Sequence, residues 1–455
     1  MEVLSSIFYL IIVLGILVFV HEFGHFIAAK LCGMRAEIFA LGMGMRLLGY
    51  NKKSGFSFGK LPKDFDGEGH TDYRICLLPI GGYVKIAGMV DESMDTEFTK
   101  NGEMQPYEFR AKKTWQKLIV LSAGVIMNVI LAIAIFTGIT YSVGNVVLKT
   151  TIIGEVEKKS IASKIGFHEN DKVISINNTQ VKTWNDILLN LTSKEFGNDL
   201  NIKVNRNDKD TVLIIRNKAF LKLVTEKKSL GLMPGGIHTA ALTVNQNSPA
   251  SKSGIQPGDT ILTLNDVNIS TLSSLQNAVK ANKGKEIEIT YKRKNSVIQS
   301  KIRPNESGLI GIGLTFGPIY KEKFGFFQSL SKGVQTSYET ITLIFKSFRQ
   351  IIKGTIKAKD SLGGPIMIAD QANQMASRGL MDFLSFMAML SISLAILNIL
   401  PIPALDGGHI VIILIEKIIR RELGEKTKIL IQQIGLGLIL LLMVFTFYND
   451  IARFF

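Results

Sequence analysis

Cysteine is scarce in this 455-residue chain: Cys32 and Cys76 are the two it has. The long stretch beyond them can form no disulfide, and no C-x-x-C pair is present to hold a metal. Acidic residues are also in the minority, 38 against 53 Lys and Arg, which leaves a net charge of +15. A nucleic-acid partner would call for that excess to gather in a basic stripe with interleaved aromatics. Here it is dispersed, and much of it flanks long apolar runs, so nucleic acid is excluded as a partner. Charge is missing altogether from the fourteen residues Ile7 to Val20.

What is present, then, is hydrocarbon. Four apolar runs, roughly Ile7 to Ala29, Leu118 to Ser142, Phe383 to Leu400 and Ile429 to Phe447, each approach the ~20 residues that cross a bilayer. They predict a polytopic α-helical membrane protein with four transmembrane helices. No Lys or Arg precedes the first run and no small-x-small site follows it, which argues against a cleaved signal peptide. Lys30, Arg35 and Arg46 follow the first run, and Arg110, Lys112, Lys113 and Lys117 precede the second. Lys417, Arg420, Arg421, Lys426 and Lys428 lie between the third and fourth. By the positive-inside rule these two connections are cytoplasmic, and both termini and the long segment between runs two and three are outside.

That long segment repeats itself with a shift of 88 residues: seven of the eighteen positions from Ser160 to Asn177 recur between Ser248 and Asn265. In each copy an aspartate, Asp171 or Asp259, opens a strand-like alternating run. The second copy, Ser248-Pro249-Ala250 through Gly254-Ile255-Gln256-Pro257-Gly258-Asp259, resembles the core of bacterial PDZ domains, and the first a degenerate version with Asn170-Asp171. Gly231-Leu232 and Gly311-Ile312-Gly313-Leu314 resemble PDZ carboxylate loops in permuted order. The resemblance implies two inserted α+β modules that either bind extended peptides by strand addition or exclude bulky substrates; both readings stand. Further on, Phe327, Leu330, Val334, Tyr338, Ile341, Phe345, Phe348 and Ile352 recur at steps of three and four. They predict an amphipathic helix suited to the outer membrane surface or to packing on the modules.

The first apolar run carries His21-Glu22-Phe23-Gly24-His25. On a helix the histidines share one face and can grip one Zn²⁺, with Glu22 placed to handle the proton of a water there. The plainer reading, a satisfied structural histidine, is weakened because ionisable groups within a membrane span are costly and usually functional. A catalytic zinc takes three protein ligands. Asn398-Ile399-Leu400-Pro401-Ile402-Pro403-Ala404-Leu405-Asp406-Gly407-Gly408-His409 offers Asp406, an acid at the cytoplasmic end of the third run; its plainer reading is an interfacial carboxylate. Two prolines there free backbone groups, which membrane depth tolerates when they line a cavity.

At these residues the chain resembles, over its whole length, the RseP-type site-2 proteases, bacterial intramembrane zinc metalloproteases with tandem PDZ domains. The resemblance rests on the His21 to His25 motif, on Asn398 through Asp406 matching N-x-x-P-x-P-x-L-D-G, on Leu362-Gly363-Gly364-Pro365-Ile366, and on Gly81-Gly82-Tyr83-Val84-Lys85, similar to a membrane-reentrant strand. It implies His21, His25 and Asp406 as zinc ligands and Glu22 as general acid/base. It implies substrate contacts from Asn398, Pro401, Pro403, Gly82, Tyr83 and Asn128. The chain departs from the family's Gly-Pro-x-x-Asn pattern at Gly124-Val125-Ile126-Met127-Asn128, and Gly42-Met43-Gly44 matches a glycine-rich segment only in part. His70 and His409 are read as non-ligands, with His409 able to support the site from outside.

The implied order is transmembrane helix one with the histidine motif (1–30), a cytoplasmic-side segment with reentrant strands (31–114), helix two (115–142), PDZ-like modules at 146–232 and 233–320, the amphipathic helix and glycine-glycine-proline segment (321–382), helix three through Asp406 (383–406) and helix four (427–448). The resemblance further implies a bacterial inner membrane location and single-span substrates of the anti-sigma-factor type already trimmed by a site-1 protease, and leftover signal peptides. The rival readings are a catalytically inactive PDZ-bearing chaperone or scaffold and a PDZ-regulated transporter. Glu22 argues against the first, because a structural zinc needs no base. The second lacks polar helix faces or symmetry among the spans. The orientation predicts that a membrane-impermeant thiol reagent on intact cells will miss Cys32 and Cys76 and modify a cysteine placed at Asn268. The opposite labelling would invert the topology.

Overall fold

The computed structural model describes residues 2–62, 67–89, 104–191, 198–217, 230–235, 238–245, 248–269, 272–317, 320–356 and 363–454. They form two compact units. The first comprises residues 1–142, 325–344 and 358–455, and the second residues 143–324 and 345–357.

In the first unit, α1 (Glu2–Leu31), α2 (Thr114–Val143), α5 (Leu380–Ile399) and α7 (Glu425–Phe454) are long and apolar enough to cross a membrane, and they coincide with the four runs. Between α1 and α2 lies a sheet of β1 (Ala36–Asn51), β2 (Gly55–Phe58) and β3 (Asp72–Ile86) in the order β2-β1-β3. β3 curls, so that residues 38–41 of β1 pair with its start at 72–75 and with its end at 82–85. Buried Arg46 holds the curl, donating to the Ser57 and Gly59 carbonyls at 3.1 and 2.8 Å and to Asp72 at 3.2 Å.

The third run departs from expectation. Its helix stops at Ile399, because Leu400 precedes Pro401 and turns extended (φ −62°, ψ 146°). After a loop, α6 (Asp406–Ile419) begins anew, so Asp406 opens a helix rather than closing one. The amphipathic helix is α3 (Phe326–Ile352). Its buried stripe is Ser329, Gly333 and Ser337. A Cβ on Gly333 would meet the Thr137 amide at 2.9 Å and the Ile133 carbonyl at 3.0 Å, so this part of α3 packs on α2 through its small residues. Phe326, Phe327, Leu330, Val334 and Tyr338 stay exposed. The segment that follows gives α4 (Pro365–Arg378), with Pro365 in its first turn. Leu362, part of the family-like motif, lies outside the described residues. α4 contributes Ala372 to a core shared with Val13 and Leu17 of α1 and Phe383, Phe386 and Met387 of α5.

The second unit is built from two sheet-containing modules. The first has the sheet β7-β6-β8-β9 (Thr179–Gln180, Lys172–Ile176, Leu200–Arg206, Lys209–Ile215) and the pair β5-β10 (Ile153–Val156, Leu232–Pro234). The second has β15-β14-β12-β11-β16 (Ser296–Ile302, Ile287–Arg293, Thr260–Leu264, His238–Val244, Ile312–Gly317), with a short β13 (Val267–Asn268) on β12. Each has its own core, around Ile153, Ile176, Ile187, Leu200 and Ile202 in one and Ile261, Leu264, Ile269 and Ile289 in the other. The strand that enters the unit, β4 (Asn145–Val147), pairs antiparallel with the strand that leaves it, β17 (Tyr320–Glu322).

The sequence repeat is a repeat of interactions. Ser160 and Ser248 each cap a short helix by accepting from the amide three residues on. The buried carboxylates of Asp171 and Asp259 accept from His168 N and Gln256 N, and from Arg206 and Arg293. Both arginines also donate to a matching carbonyl, Gly166 or Gly254. Gly231 (φ 67°) and Gly311 (φ 76°) press on the two capping serines where a side chain would collide. For Asp171, burial pushes the carboxyl upward, yet the Arg206 guanidinium and the His168 amide outweigh it and hold the group below the usual carboxylate range. Asp171→Ala should therefore loosen the first module by about 1–3 kcal/mol at neutral pH, read in the full chain as faster amide exchange in β6 and β8. Since the folded pKa lies below the unfolded value of about 3.9, the wild-type advantage is complete above that value and is lost as pH falls through the folded pKa. Equal exchange rates at pH 7 would refute the role.

Candidate metal centre and active site

α1 sets His21 and His25 one turn apart, both buried, with their Nε2 atoms 3.2 Å apart. α2 crosses α1 at short range because each helix presents a glycine. A Cβ on Gly24 would lie 2.5 Å from the Ala123 carbonyl oxygen, and one on Gly124 2.7 Å from the His21 ring. The close crossing brings two polar groups to the imidazoles. His25 Nδ1 lies 2.8 Å from the Val120 carbonyl oxygen, which can only accept, so the proton sits on Nδ1 and the Nε2 lone pair faces the centre. His21 Nδ1 lies 3.2 Å from the side-chain amide of fully buried Asn128. With the amide nitrogen turned toward His21, Asn128 Oδ1 has no partner. The flipped amide, identical in shape, lets Oδ1 accept from Nδ1–H and fixes the same tautomer. Ser391 of α5 donates to the Asn128 carbonyl at 2.8 Å.

Asp406, first residue of α6, sits where the helix dipole favours negative charge. Its Oδ2 lies 3.1 Å from His21 Nε2 and 3.4 Å from His25 Nε2 and is buried without a hydrogen-bond partner. Ligands ~2.0–2.1 Å from a tetrahedral zinc stand about 3.3 Å from one another. The three edges here, 3.1, 3.2 and 3.4 Å, and the unpartnered oxygen fit that ion. Among the described residues this is the one group of three or more His, Cys, Asp or Glu able to hold a metal.

Around this centre, Asn398 in the last turn of α5 brings Nδ2 to 3.2 Å from His21 Nε2, on the metal side of the ring. The end of β3 runs along α1 at Glu22: a Cβ on Gly82 would lie 3.4 Å from Glu22 Cγ and 3.2 Å from Val18 Cγ1. Residues 82–85 pair with β1 at one edge, and the Val84 backbone hydrogen-bonds the Glu22 side chain.

The structure thus gathers His21, Glu22, His25, Asn398, Asp406 and Gly82. Asn128 joins them from behind: its side chain is spent on His21. Tyr83 alternates to the opposite face of the strand, where its hydroxyl lies 3.4 Å from Arg74. Pro401 is exposed in the loop before α6, and Pro403 lies against Gly435 of α7. His409 approaches Gln432 at 3.4 Å; His70 lies outside the metal group. Sequence reasoning missed the roles of Gly124, Ser391 and the Val120 carbonyl. Paired glycines on adjacent spans were the available signal for the first, whereas a backbone oxygen leaves none.

Comparison with known proteins agrees with this chemistry. The profile of peptidase family M50 matches residues 9–442. A Neisseria meningitidis protein named "Putative zinc metalloprotease NMA0084" is 32% identical, over 96% of this chain and 97% of its own. The regulator of sigma-E protease RseP of Escherichia coli is 29% identical over 97% of each chain. The regulator of sigma E protease of Haemophilus influenzae is 30% identical over 100% of both. Purified protein should contain about one zinc per chain. Gly124→Ala, whose methyl group would displace both imidazoles, should lose most of it, as should Asp406→Ala. Full zinc occupancy in both variants, measured by elemental analysis, would remove the metal from this site.

Proposed function

The chain belongs to peptidase family M50 and is a zinc metalloprotease, and we propose that it hydrolyses peptide bonds within the transmembrane segments of other membrane proteins. The observation that carries this reading is the place of the ligand set: His21, His25 and Asp406 are held among apolar spans, with Glu22 beside the end of β3.

Held by His21, His25 and Asp406, a zinc ion would supply a Lewis acid able to polarise a carbonyl and to make water a nucleophile near neutral pH. Glu22 takes the proton of the attacking water and delivers it to the leaving amine. The Val120 carbonyl and Asn128 keep the two histidines in the tautomer that binds metal. A transmembrane helix hides its peptide groups in its own hydrogen bonds, so it must unwind before it can be cut. The edge of β3 that faces away from β1 at Gly82 to Lys85 runs beside the ligand set and offers backbone groups to the unwound stretch, and Asn398 an amide for its carbonyls. Tyr83 then serves through its backbone, and Pro401 and Pro403 serve by shaping the loop that delivers Asp406.

The remaining parts of the reading follow from the sequence and the relatives. The protein lies in the bacterial inner membrane with the basic connections cytoplasmic. The two modules are a PDZ tandem on the outer side that admits substrates by size or by strand addition. Relatives named for regulation of sigma-E favour single-span anti-sigma factors trimmed by a site-1 protease as substrates, with leftover signal peptides as a further class.

The test is cleavage of a synthetic single-span substrate, with and without a folded outer domain, by wild type, by Glu22→Gln and by a chain lacking residues 153–315. Glu22→Gln should be slower by about 100-fold to 10,000-fold with zinc retained. The deletion should erase discrimination against the folded domain if the tandem is a filter, or slow both substrates if it recruits them. Near-normal turnover by Glu22→Gln would return the scaffold reading, and a deletion without effect would exclude gating.

A further inference from the structure

The last span is apolar along its length, yet the residues that α7 buries fully among those described are Gln432, Gly435, Asn449 and Asp450. Its large side chains, such as Leu430, Ile434, Leu438, Leu441 and Val444, are exposed. In hydrocarbon an apolar face gains nothing by leaving lipid, whereas small residues allow backbones to meet and polar ones bind helices together. α7 is therefore held at a few points, and each point touches something specific.

At one, Gly435 lies so close to Pro403 that a Cβ would overlap the Pro403 carbonyl. Gln432, a turn earlier, meets His409. At the other, Asp450 accepts from the amides of Gly364 at 2.9 Å and Met367 at 3.0 Å, capping α4 across 86 residues of chain. A Cβ on Gly364 would fall 2.6 Å from Asp450 Oδ2. The fifteen steps along the helix from Gly435 to Asp450 span about 22 Å.

The loop under Gly435 is the one that delivers Asp406. Ala404 within it has φ 74°, a left-handed conformation that costs a non-glycine residue roughly 1–2 kcal/mol and survives only where neighbours leave no alternative. From the far side, a Cβ on Gly408 would lie 2.8 Å from Pro403 Cα. Pro403 is clamped between the first turn of α6 and the backbone of α7. The two hydrogen bonds that Asp450 accepts from backbone amides fix both the height and the rotation of α7. A small slide or turn would replace Gly435 by Ile434 or Leu436 and push the loop away.

We propose that Gly435 and Asp450 are positioning residues for Asp406: Gly435 closes α7 on the Pro403 to Asp406 loop, and Asp450 holds α7 in the register that keeps it closed. The proposal rests on Asp406 being a zinc ligand. The test is zinc affinity, by competition with a chelator, together with the cobalt(II) absorption spectrum, in purified full-length protein with thermal midpoints recorded alongside. Gly435→Ala and Asp450→Ala should weaken zinc about 10-fold to 100-fold, the range for groups that orient metal ligands, and should alter the cobalt spectrum. Asp450→Asn, isosteric and able to serve one of the two amides, should fall between Asp450→Ala and wild type; lipid-facing Leu441→Ala should change nothing. If Gly435→Ala cannot be purified, the graded pair at Asp450 decides. Zinc affinity within about twofold of wild type in Asp450→Ala and Asp450→Asn, with Asp406→Ala depleted of metal, would overturn the proposal and leave the ligand assignment standing. Wild-type affinity in Asp406→Ala would instead overturn the ligand assignment on which it rests.

Discussion

The transmembrane unit depends on one close crossing, that of α1 and α2 at Gly24 and Gly124. Lipid offers no hydrophobic drive to join helices, so contact must come from backbones that can approach each other and from polar groups that find partners. Both are met at this crossing. Removing two side chains brings the Val120 carbonyl and Asn128 within reach of imidazole nitrogens that would otherwise be buried polar atoms facing hydrocarbon. The same contact turns both Nε2 atoms toward Asp406, so the arrangement that joins the helices is also the one that builds the three-residue cluster. Ser391 extends it to α5, and Asp406 closes it from α6.

Glu22 completes the site from the other side of α1. Its neighbour in the sequence, His21, faces α2, while Glu22 faces the end of β3 at Gly82. The helix thereby presents its two histidines to one element and its glutamate to another. A glycine at position 82 keeps the approach open, since any larger residue would stand between the strand, Val18 and Glu22.

The parts of this architecture that were legible in the sequence are those with a period or a fixed spacing. Four apolar runs became four spans, the i, i+4 histidines met on one face, and the 88-residue repeat reappeared bond for bond at Asp171 and Asp259. Asp406 was identifiable as an acid out of place in an apolar context. The parts that stayed hidden depend on contacts between distant segments. The third run looked continuous through Asp406, but the turn at Leu400 and the left-handed Ala404 divide it into two helices. The family resemblance marked Asn128 as a substrate contact; the crossing at Gly124 places its side chain against His21. The amphipathic pattern of α3 marked its apolar residues as the contact face, whereas it is Gly333 that meets α2.

The pairing of β4 with β17 bears on how the second unit came to be part of this chain. Strands in a ladder run about 5 Å apart, so the point where the chain leaves the membrane unit after α2 and the point where it returns toward α3 are neighbours across a single row of hydrogen bonds. A segment of about 180 residues attached in this way behaves as a cassette. Domains whose ends lie together can be inserted or lost without stretching their host, and here a short turn in place of the ribbon would join α2 to α3 over the same gap.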